Sequence, residues 1–358
     1  MSLDSPNKML NERFAGVLLG TAVGDALGLP AENLSPGRIR RRWNGAWRMR
    51  LVFGRGMISD DTEHTLMVAQ ALLAHPQDAN TFQRALGWKL RWWFAGLPGG
   101  VGLATAKACL KLWVGFPANK AAVKSAGSGP AMRSAIIGAY FANDPIRRRE
   151  YVLASSRLTH RGWQAEAAAL AVAECAALAV QMQRQPEPKQ VFEVLRSLTA
   201  ENQWQNWIQQ IEAALATNQC ILEFVRTVGL EKGVSGYSLH VVPVAIYAWL
   251  RHPGDFRTAI INTLERGGDT DTVGAILGAL VGAVVGKQGI PLDWLDSICD
   301  WPRSVSFMAR VAEKLAEQNQ LQNPSGLVHY FWPGLIPRNI LFLLVVLLHG
   351  LRRLAPPY

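Results

Sequence analysis

The sequence predicts an all-α fold built as a single domain. Three observations carry that expectation. Apolar residues recur at helical spacing along most of the chain, no segment alternates with the two-residue period of a half-buried strand, and no break is strong enough to serve as a linker. With 358 residues, 49% hydrophobic and 18% charged, the chain can bury a sizeable core and lies outside the composition of disordered segments.

Taken in order, helical patterns run over 13–27, 62–73, 82–94, 131–141, 161–182, 191–198, 204–214, 241–249, 256–265, 273–285 and 304–318. Pro and Gly cluster between them, as at Leu97-Pro98-Gly99-Gly100 and Pro253-Gly254. Two of these patterns carry glycine at every fourth position: Gly16, Gly20, Gly24 and Gly28, then Gly274, Gly278, Gly282 and Gly286. Each helical glycine costs roughly 0.5–1 kcal/mol relative to alanine, so rows this regular predict close backbone approach along each. A membrane dimer motif fits poorly, because the first row carries Asp25 and the second pattern is short of the roughly 20 residues that span a bilayer.

The net charge is +10, much of it from Arg38, Arg40, Arg41, Arg42, Arg48 and Arg50, with Trp43 and Trp47 between them. A solvated loop is the preferred reading of 38–50, with steering of an anion toward a nearby cleft second. A polyanion or nucleic-acid contact is open but not favoured. Four scattered cysteines, Cys109, Cys175, Cys220 and Cys299, form no C-x-x-C pair, which excludes a cysteine zinc site of the usual spacing and suggests a reducing compartment. Met1 to Leu10 is polar and lacks the apolar core of a signal peptide, so the expected location is cytoplasmic.

Near the C-terminus an apolar run, 340–348, is too short to span a membrane, and Pro333 and Pro337 interrupt its extension toward Phe331. It predicts a helix docked on the domain and no transmembrane segment. A weak membrane-surface or partner contact through 331–353 is the alternative, kept open by Arg352 and Arg353.

Two acidic clusters carry the chemistry. Ser59-Asp60-Asp61-Thr62-Glu63 and Asp269-Thr270-Asp271-Thr272 each place carboxylates and a hydroxyl at the start of a helical pattern, the second directly after Gly267-Gly268. Helix capping is the plain reading, with Asp60 and Glu63 as a capping box. But a cap needs one acid, and crowded carboxylates repel unless a hard divalent cation such as Mg²⁺, Mn²⁺ or Ca²⁺ gathers them. Gly127-Ser128-Gly129-Pro130 leads into a helical pattern, where free N–H groups could hold an anion; a plain entry loop fits equally. His160 stands alone before a long Ala-rich pattern. Neither G-x-S-x-G nor H-E-x-x-H occurs.

Together these motifs resemble the ADP-ribosylglycohydrolase family. The matching stretches are Gly24-Asp25-Ala26-Leu27-Gly28-Leu29-Pro30-Ala31-Glu32, Ser59-Asp60-Asp61-Thr62, Gly127-Ser128-Gly129-Pro130-Ala131-Met132-Arg133, Thr159-His160 and Gly268-Asp269-Thr270-Asp271-Thr272, in the family's order. The resemblance implies an orthogonal helical bundle over 1–322, followed by an extension, 323–358. It implies two Mg²⁺ or Mn²⁺ ions held by Ser59, Asp60, Asp61, Asp269, Asp271 and Thr272. The family usually has Thr where this chain has Ser59. Glu32 matches a glutamate beside the metals, so Glu32, Asp60, Asp61, Asp269 and Asp271 form the implied catalytic set. Gly127, Ser128, Gly129 and Met132 match a loop for the diphosphate and distal ribose, and His160 a substrate contact. The implied activity removes ADP-ribose from a modified macromolecule by hydrolysis at the distal ribose. Protein side chains are the expected acceptors, with arginine slightly favoured. A non-catalytic ADP-ribose binder, a structural relative, and a two-metal hydrolase of other ADP-ribosyl or nucleotide substrates are the rivals.

Overall fold

The computed structural model describes residues 6–321 and 326–353. From the N-terminus the chain forms α1 (Pro6–Gly28), α2 (Pro36–Trp43), α3 (Asp60–Ala74), α4 (Ala79–Ala95), α5 (Leu103–Trp113), β1 (Val123–Lys124), α6 (Gly129–Met132), α7 (Ala135–Tyr140), α8 (Pro145–Thr159), β2 (His160–Arg161) and α9 (Trp163–Met182). It continues through α10 (Pro188–Ser197), α11 (Asn202–Ala216), α12 (Ile221–Thr227), α13 (Ser238–Arg251), α14 (Phe256–Leu264), α15 (Thr270–Val285), α16 (Leu292–Leu295), α17 (Val305–Leu321) and α18 (Leu335–Arg352). The all-α expectation holds. Among the described residues the named strands are two-residue pieces, paired in parallel as Val123 with His160 and Lys124 with Arg161.

The two glycine rows meet, and the bundle is organised around that meeting. A Cβ on Gly16 would lie 2.1 Å from the Gly282 carbonyl oxygen, one on Gly20 2.1 Å from that of Gly278, and one on Gly24 1.9 Å from that of Gly274. Only hydrogen fits there, so α1 and α15 run antiparallel in backbone contact. The register continues past the paired glycines: a Cβ on Gly28 would lie 2.3 Å from the Thr270 carbonyl oxygen, and Gly286 ends α15 at φ 69° near Glu12. The consequence is positional. The late part of α1, with Asp25, is brought beside the start of α15, with Asp271.

Several expectations need correcting. The pattern over 131–141 splits into α6 and α7 at Arg133, whose side chain is fully buried. The segments forming α5 and α8 were not anticipated. In α8 the buried residues Arg148, Tyr151, Val152, Ser155, Ser156, Leu158 and Thr159 mix polar and apolar types, so no apolar stripe marks the helix. Its start is nonetheless marked, by Pro145 and by Asp144, which accepts from the Arg147 amide at 3.0 Å. The basic segment is in part a helix, α2, and its tryptophans are core. Trp43 and Trp47 are buried and stack at 5.2 Å, with the Arg50 guanidinium 5.3 Å from the Trp43 ring. Those rings are not available to stack on bases, which removes the aromatic half of the nucleic-acid reading.

The C-terminal helix is also longer than the apolar run suggested. Pro337 falls in the first turn of α18, where a missing N–H costs nothing, and Pro333 lies in the 3₁₀ turn before it. Among the described residues three stretches are long and apolar enough to cross a membrane: Lys8–Ala31, Trp163–Met182 and Trp332–Arg352. Over the apolar 18-residue window of each, the first two are 100% and 72% buried within the protein, the third 28%. The expectation that the C-terminal apolar run is too short to span, its extension interrupted by Pro333 and Pro337, is therefore corrected: α18 has the length.

Candidate active site

The site forms where the starts of α3 and α15 meet the end of α1. Asp25, carried by α1, turns its carboxylate to the start of α3. It accepts the Ser59 amide at 2.9 Å, the Thr62 amide at 3.2 Å and the Thr62 hydroxyl. Ser59 is the residue at the N-cap, accepting from the Asp61 amide at 3.3 Å. Capping is thus done by Asp25 and Ser59, and the capping-box reading of Asp60 with Glu63 is corrected. Glu63 is taken up elsewhere: Arg303, Arg338 and Trp93 all donate to it in a buried cluster. Asp60 and Asp61 are left over from the helix's own needs.

On the other side, Gly267 (φ 71°) and Gly268 (φ 84°) carry the chain into α15 through left-handed turns. A Cβ on Gly268 would lie 2.0 Å from the Val234 carbonyl oxygen. The Asn33 amide donates to Gly268 at 2.7 Å and the Asp269 amide to Val234 at 2.7 Å. This stitching sets Asp269 at the N-cap of α15, with buried Asp271 and Thr272 in its first turn.

The two clusters touch. The Thr272 hydroxyl donates to Asp61 Oδ2 at 3.3 Å across 211 positions of sequence, and the Ser59 hydroxyl donates to the same oxygen at 3.3 Å. Asp61 Oδ1 is buried without a hydrogen-bond partner. Among the described residues no three His, Cys, Asp or Glu side chains close into a ready metal-ligand group. The meeting is made through hydroxyls rather than through a closed ring of carboxylates.

Electrostatically the cluster is strained. Burial first, then Asp60, Asp25 and Asp269, push the Asp61 carboxyl well above the usual range. Burial, Asp25, Glu63 and Glu32 do the same for Asp60, and burial, Glu32, Asp269 and Asp61 for Asp271. Asp269 is raised by burial. Asp25 rises to about 6, through burial opposed by its hydrogen bonds to Thr62 and Ser59. Glu32 is raised by burial and by Asp269, against the pull of Arg353.

The loop of Gly127, Ser128 and Gly129 lies against His160. A Cβ on Gly129 would sit 3.0 Å from the ring carbon Cε1, and one on Gly127 3.2 Å from Nε2. The Ser128 amide donates to Gly236 at 3.2 Å and the Gly127 amide to Ser125 Oγ at 3.3 Å. The expectation of free amides at these two positions is corrected, because the loop is pinned through them. Gly236 in turn packs on Asp269, 3.1 Å from its Oδ2 to a built Cβ. The Met132 carbonyl accepts from Thr65 of α3 at 3.2 Å. The pinned loop therefore borders both acidic clusters.

Five residues outside the expected set matter here. Asp25 sat inside a quoted motif, but its role needed the α1–α15 contact to appear. Arg133 is fully buried and donates to Ser155, Thr159 and the His64 ring, all uncharged. Burial lowers its pKa to about 10, partly offset by Cys109 and Asp60. Arg338 of α18 donates to the Ile58 carbonyl at 2.6 Å, and to Glu63 and Asp300, bracing the residue before Ser59 from behind. His349 and Arg353 donate to Pro30, at 3.0 Å each, and Arg353 to the Glu32 carbonyl at 2.8 Å. The extension is thereby part of the wall beside Glu32, where a cavity of about 200 Å³ is lined by Glu32, Leu51, Val346 and His349.

His160 supplies a pH prediction. Burial and Arg133 lower its pKa from 6.5 to about 3. An unfolded chain therefore takes up a proton below pH 6.5 that the folded one refuses, so folding stability falls as pH drops through 6.5 toward 3, by up to about 1.4 kcal/mol per unit. The melting temperature of His160→Gln, followed over that range, should fall less steeply than that of the native chain. Equal slopes would refute the assignment.

Comparison with known proteins identifies the family. Residues 6–325 match the family model described as ADP-ribosylglycohydrolase. A protein of Archaeoglobus fulgidus is 33% identical over 86% of this chain and 97% of its own. The ADP-ribosyl-[dinitrogen reductase] glycohydrolase of Rhodospirillum rubrum is 26% identical over 81% and 91%, and the ADP-ribosylarginine hydrolase Tri1 of Pseudomonas putida 28% over 84% and 77%. A solved structure titled ADP-ribosylglycohydrolase-related protein complex superposes with a TM-score of 0.63 at 25% identity, covering 87% of this chain and 99% of that one. The chain belongs to the ADP-ribosylglycohydrolase family and is an ADP-ribosyl hydrolase in the general sense.

Proposed function

We propose that this protein is a cation-dependent hydrolase that releases ADP-ribose from modified protein side chains, with arginine the favoured acceptor. The observation that carries the reading is the meeting of Thr272 and Ser59 on Asp61 Oδ2 while Asp61 Oδ1 is buried without a partner. The acceptor rests on two relatives, whose names specify dinitrogen reductase and ADP-ribosylarginine.

The donor set fits a pair of hard cations. Ser59, Asp60, Asp61, Asp269, Asp271 and Thr272 offer oxygen alone, and the raised carboxyl pKa values mark negative charge that only a cation or a proton relieves. Two Mg²⁺ or Mn²⁺ ions held there would supply Lewis-acid activation of water and a clamp on ribose hydroxyls.

The chain's own residues supply the rest. Breaking the glycosidic bond builds oxocarbenium character on the ribose, which the surrounding carboxylates stabilise. In this reading Glu32, whose pKa burial and Asp269 raise, holds a proton at its carboxyl and exchanges it with the attacking water or the departing side chain. The Gly127–Gly129 loop, fixed by Gly236 and His160, gives the distal ribose and diphosphate a rigid wall whose two glycines permit close approach. Asp25 leaves the cleft to the other acids by meeting the helix's capping need itself.

A panel of defined ADP-ribosylated peptides, linked through arginine or serine and assayed with and without EDTA, tests the proposal. Free ADP-ribose should appear from the arginine-linked peptide and stop with EDTA. Tight ADP-ribose binding without release from any linkage would favour a non-catalytic binder. Release unaffected by EDTA would remove the cation from the reading.

A further inference from the structure

We propose that one face of this protein docks on a membrane surface carrying anionic lipid, through the outward side of α18 and the adjoining tryptophan-rich hairpin of α4 and α5. On one side α18 buries Leu335, Arg338, Asn339 and Phe342, at i, i+3, i+4 and i+7. On the opposite side Ile336, Ile340, Leu344, Leu347 and Leu351 are each exposed by between 42% and 62%. The stretch Trp332–Arg352 has the length and hydropathy of a membrane span with only 28% of its apolar 18-residue window buried, unlike the two other such helices among the described residues. It is nevertheless fastened down. Arg338 is paired with Glu63 and Asp300, and Asn339 donates to the Gly96 carbonyl at 2.7 Å. A helix held along one side and apolar along the other lies in the plane of a lipid interface rather than across it.

Tryptophan continues the surface. Trp92 meets Trp332, just ahead of α18, at 5.7 Å, Trp113 at 5.7 Å and Trp88 at 6.1 Å. Trp88, Trp92 and Trp113 are exposed, with Leu110 and Val114 beside Trp113 in sequence. Trp is the side chain most at home at the level of lipid headgroups. Charge then selects the occupant. No Asp or Glu occurs between Asp78 and Asp144, a stretch with eight Lys and Arg residues, and none follows Glu317. Arg352 and Arg353 close the helix end. With no carboxylate on α4, α5 or α18 themselves, this apolar face complements an anionic bilayer, each nearby basic residue adding about 1 kcal/mol. Two copies set face to face would bring like charges together.

Co-sedimentation of the full chain tests this, with vesicles of phosphatidylcholine alone or mixed with phosphatidylglycerol. The native chain should pellet with the anionic vesicles at least about tenfold more strongly, less so as salt rises. Leu344→Glu with Leu347→Glu should lose at least about tenfold in that binding while keeping the native melting curve, since both side chains point away from the domain. Trp88→Ser with Trp113→Ser repeats the test on the hairpin, should the first pair misfold. A native chain that stays in the supernatant with anionic vesicles at low salt overturns the proposal. So does a folded variant that pellets as the native chain does, or a dimer in sedimentation equilibrium that either pair dissolves.

Discussion

Asp61→Asn should lose on the order of 10³-fold or more in kcat/KM, about 4 kcal/mol of transition-state stabilisation, and yet melt a few degrees higher than the native chain in EDTA. The two effects share one cause. Asp61 is held among Asp60, Asp25 and Asp269 in a buried cluster that pushes its carboxyl well above the normal range, so its ionised form opposes folding at neutral pH. An amide of the same shape removes that charge and keeps an acceptor for Ser59 and Thr272. The same substitution removes a charge from the proposed cation site, so added Mg²⁺ or Mn²⁺ should raise the melting temperature of the native chain and leave the variant nearly unmoved. Steady-state assays with an arginine-linked peptide and melts with and without metal read both. Native turnover in the variant would end the proposed role of Asp61. A variant that melts lower in EDTA would show that the carboxylate serves the fold.

Gly20→Val should prevent folding altogether. Its Cβ would sit 2.1 Å from the Gly278 carbonyl oxygen and 2.8 Å from the carbonyl carbon, backbone atoms that cannot turn aside. Overpacking an ordinary core site costs about 1–3 kcal/mol, because side chains can turn aside. Here α1 and α15 must separate, and the loss should approach the whole stability of a domain, about 5–15 kcal/mol. Gly20→Ala places the same Cβ at the same 2.1 Å and lacks only the two γ-methyls, so it too should lose most of the domain's stability, and any folded fraction should respond weakly to divalent cations, since Asp25 and Asp271 are set opposite each other by that contact. Circular-dichroism melts of both variants check this, and a native-like Gly20→Val would refute the close-approach account.

Much of the fold was legible because its signals are local. The glycine rows, the acid pairs before helical patterns and the Gly267-Gly268 turn are statements about neighbouring residues, and they survive folding unchanged. The aromatic residues at 43 and 47 misled, since a tryptophan among arginines reads alike whether its ring is solvated or stacked in the core. The polar faces of α8 hid a helix, because the groups that satisfy Arg148, Ser155 and Thr159 come from elsewhere in the chain, such as Glu174 and Arg133.

By itself the sequence determined the all-α class, the two central helices and the residue types that compose the candidate site. Periodicity and glycine spacing are properties of a single segment, and a backbone responds to them before it has any neighbours. Only the tertiary structure decided which acids are left over. Asp25 caps α3 from another helix, Glu63 is consumed by two buried arginines, and Asp61 is met by a hydroxyl 211 positions away. It also decided that the C-terminal helix belongs to the site's wall, through Arg338 behind Ile58 and Arg353 beside Glu32. A hydrogen bond or ion pair costs or contributes according to what else reaches the same atom, and that inventory exists only once distant segments share a volume.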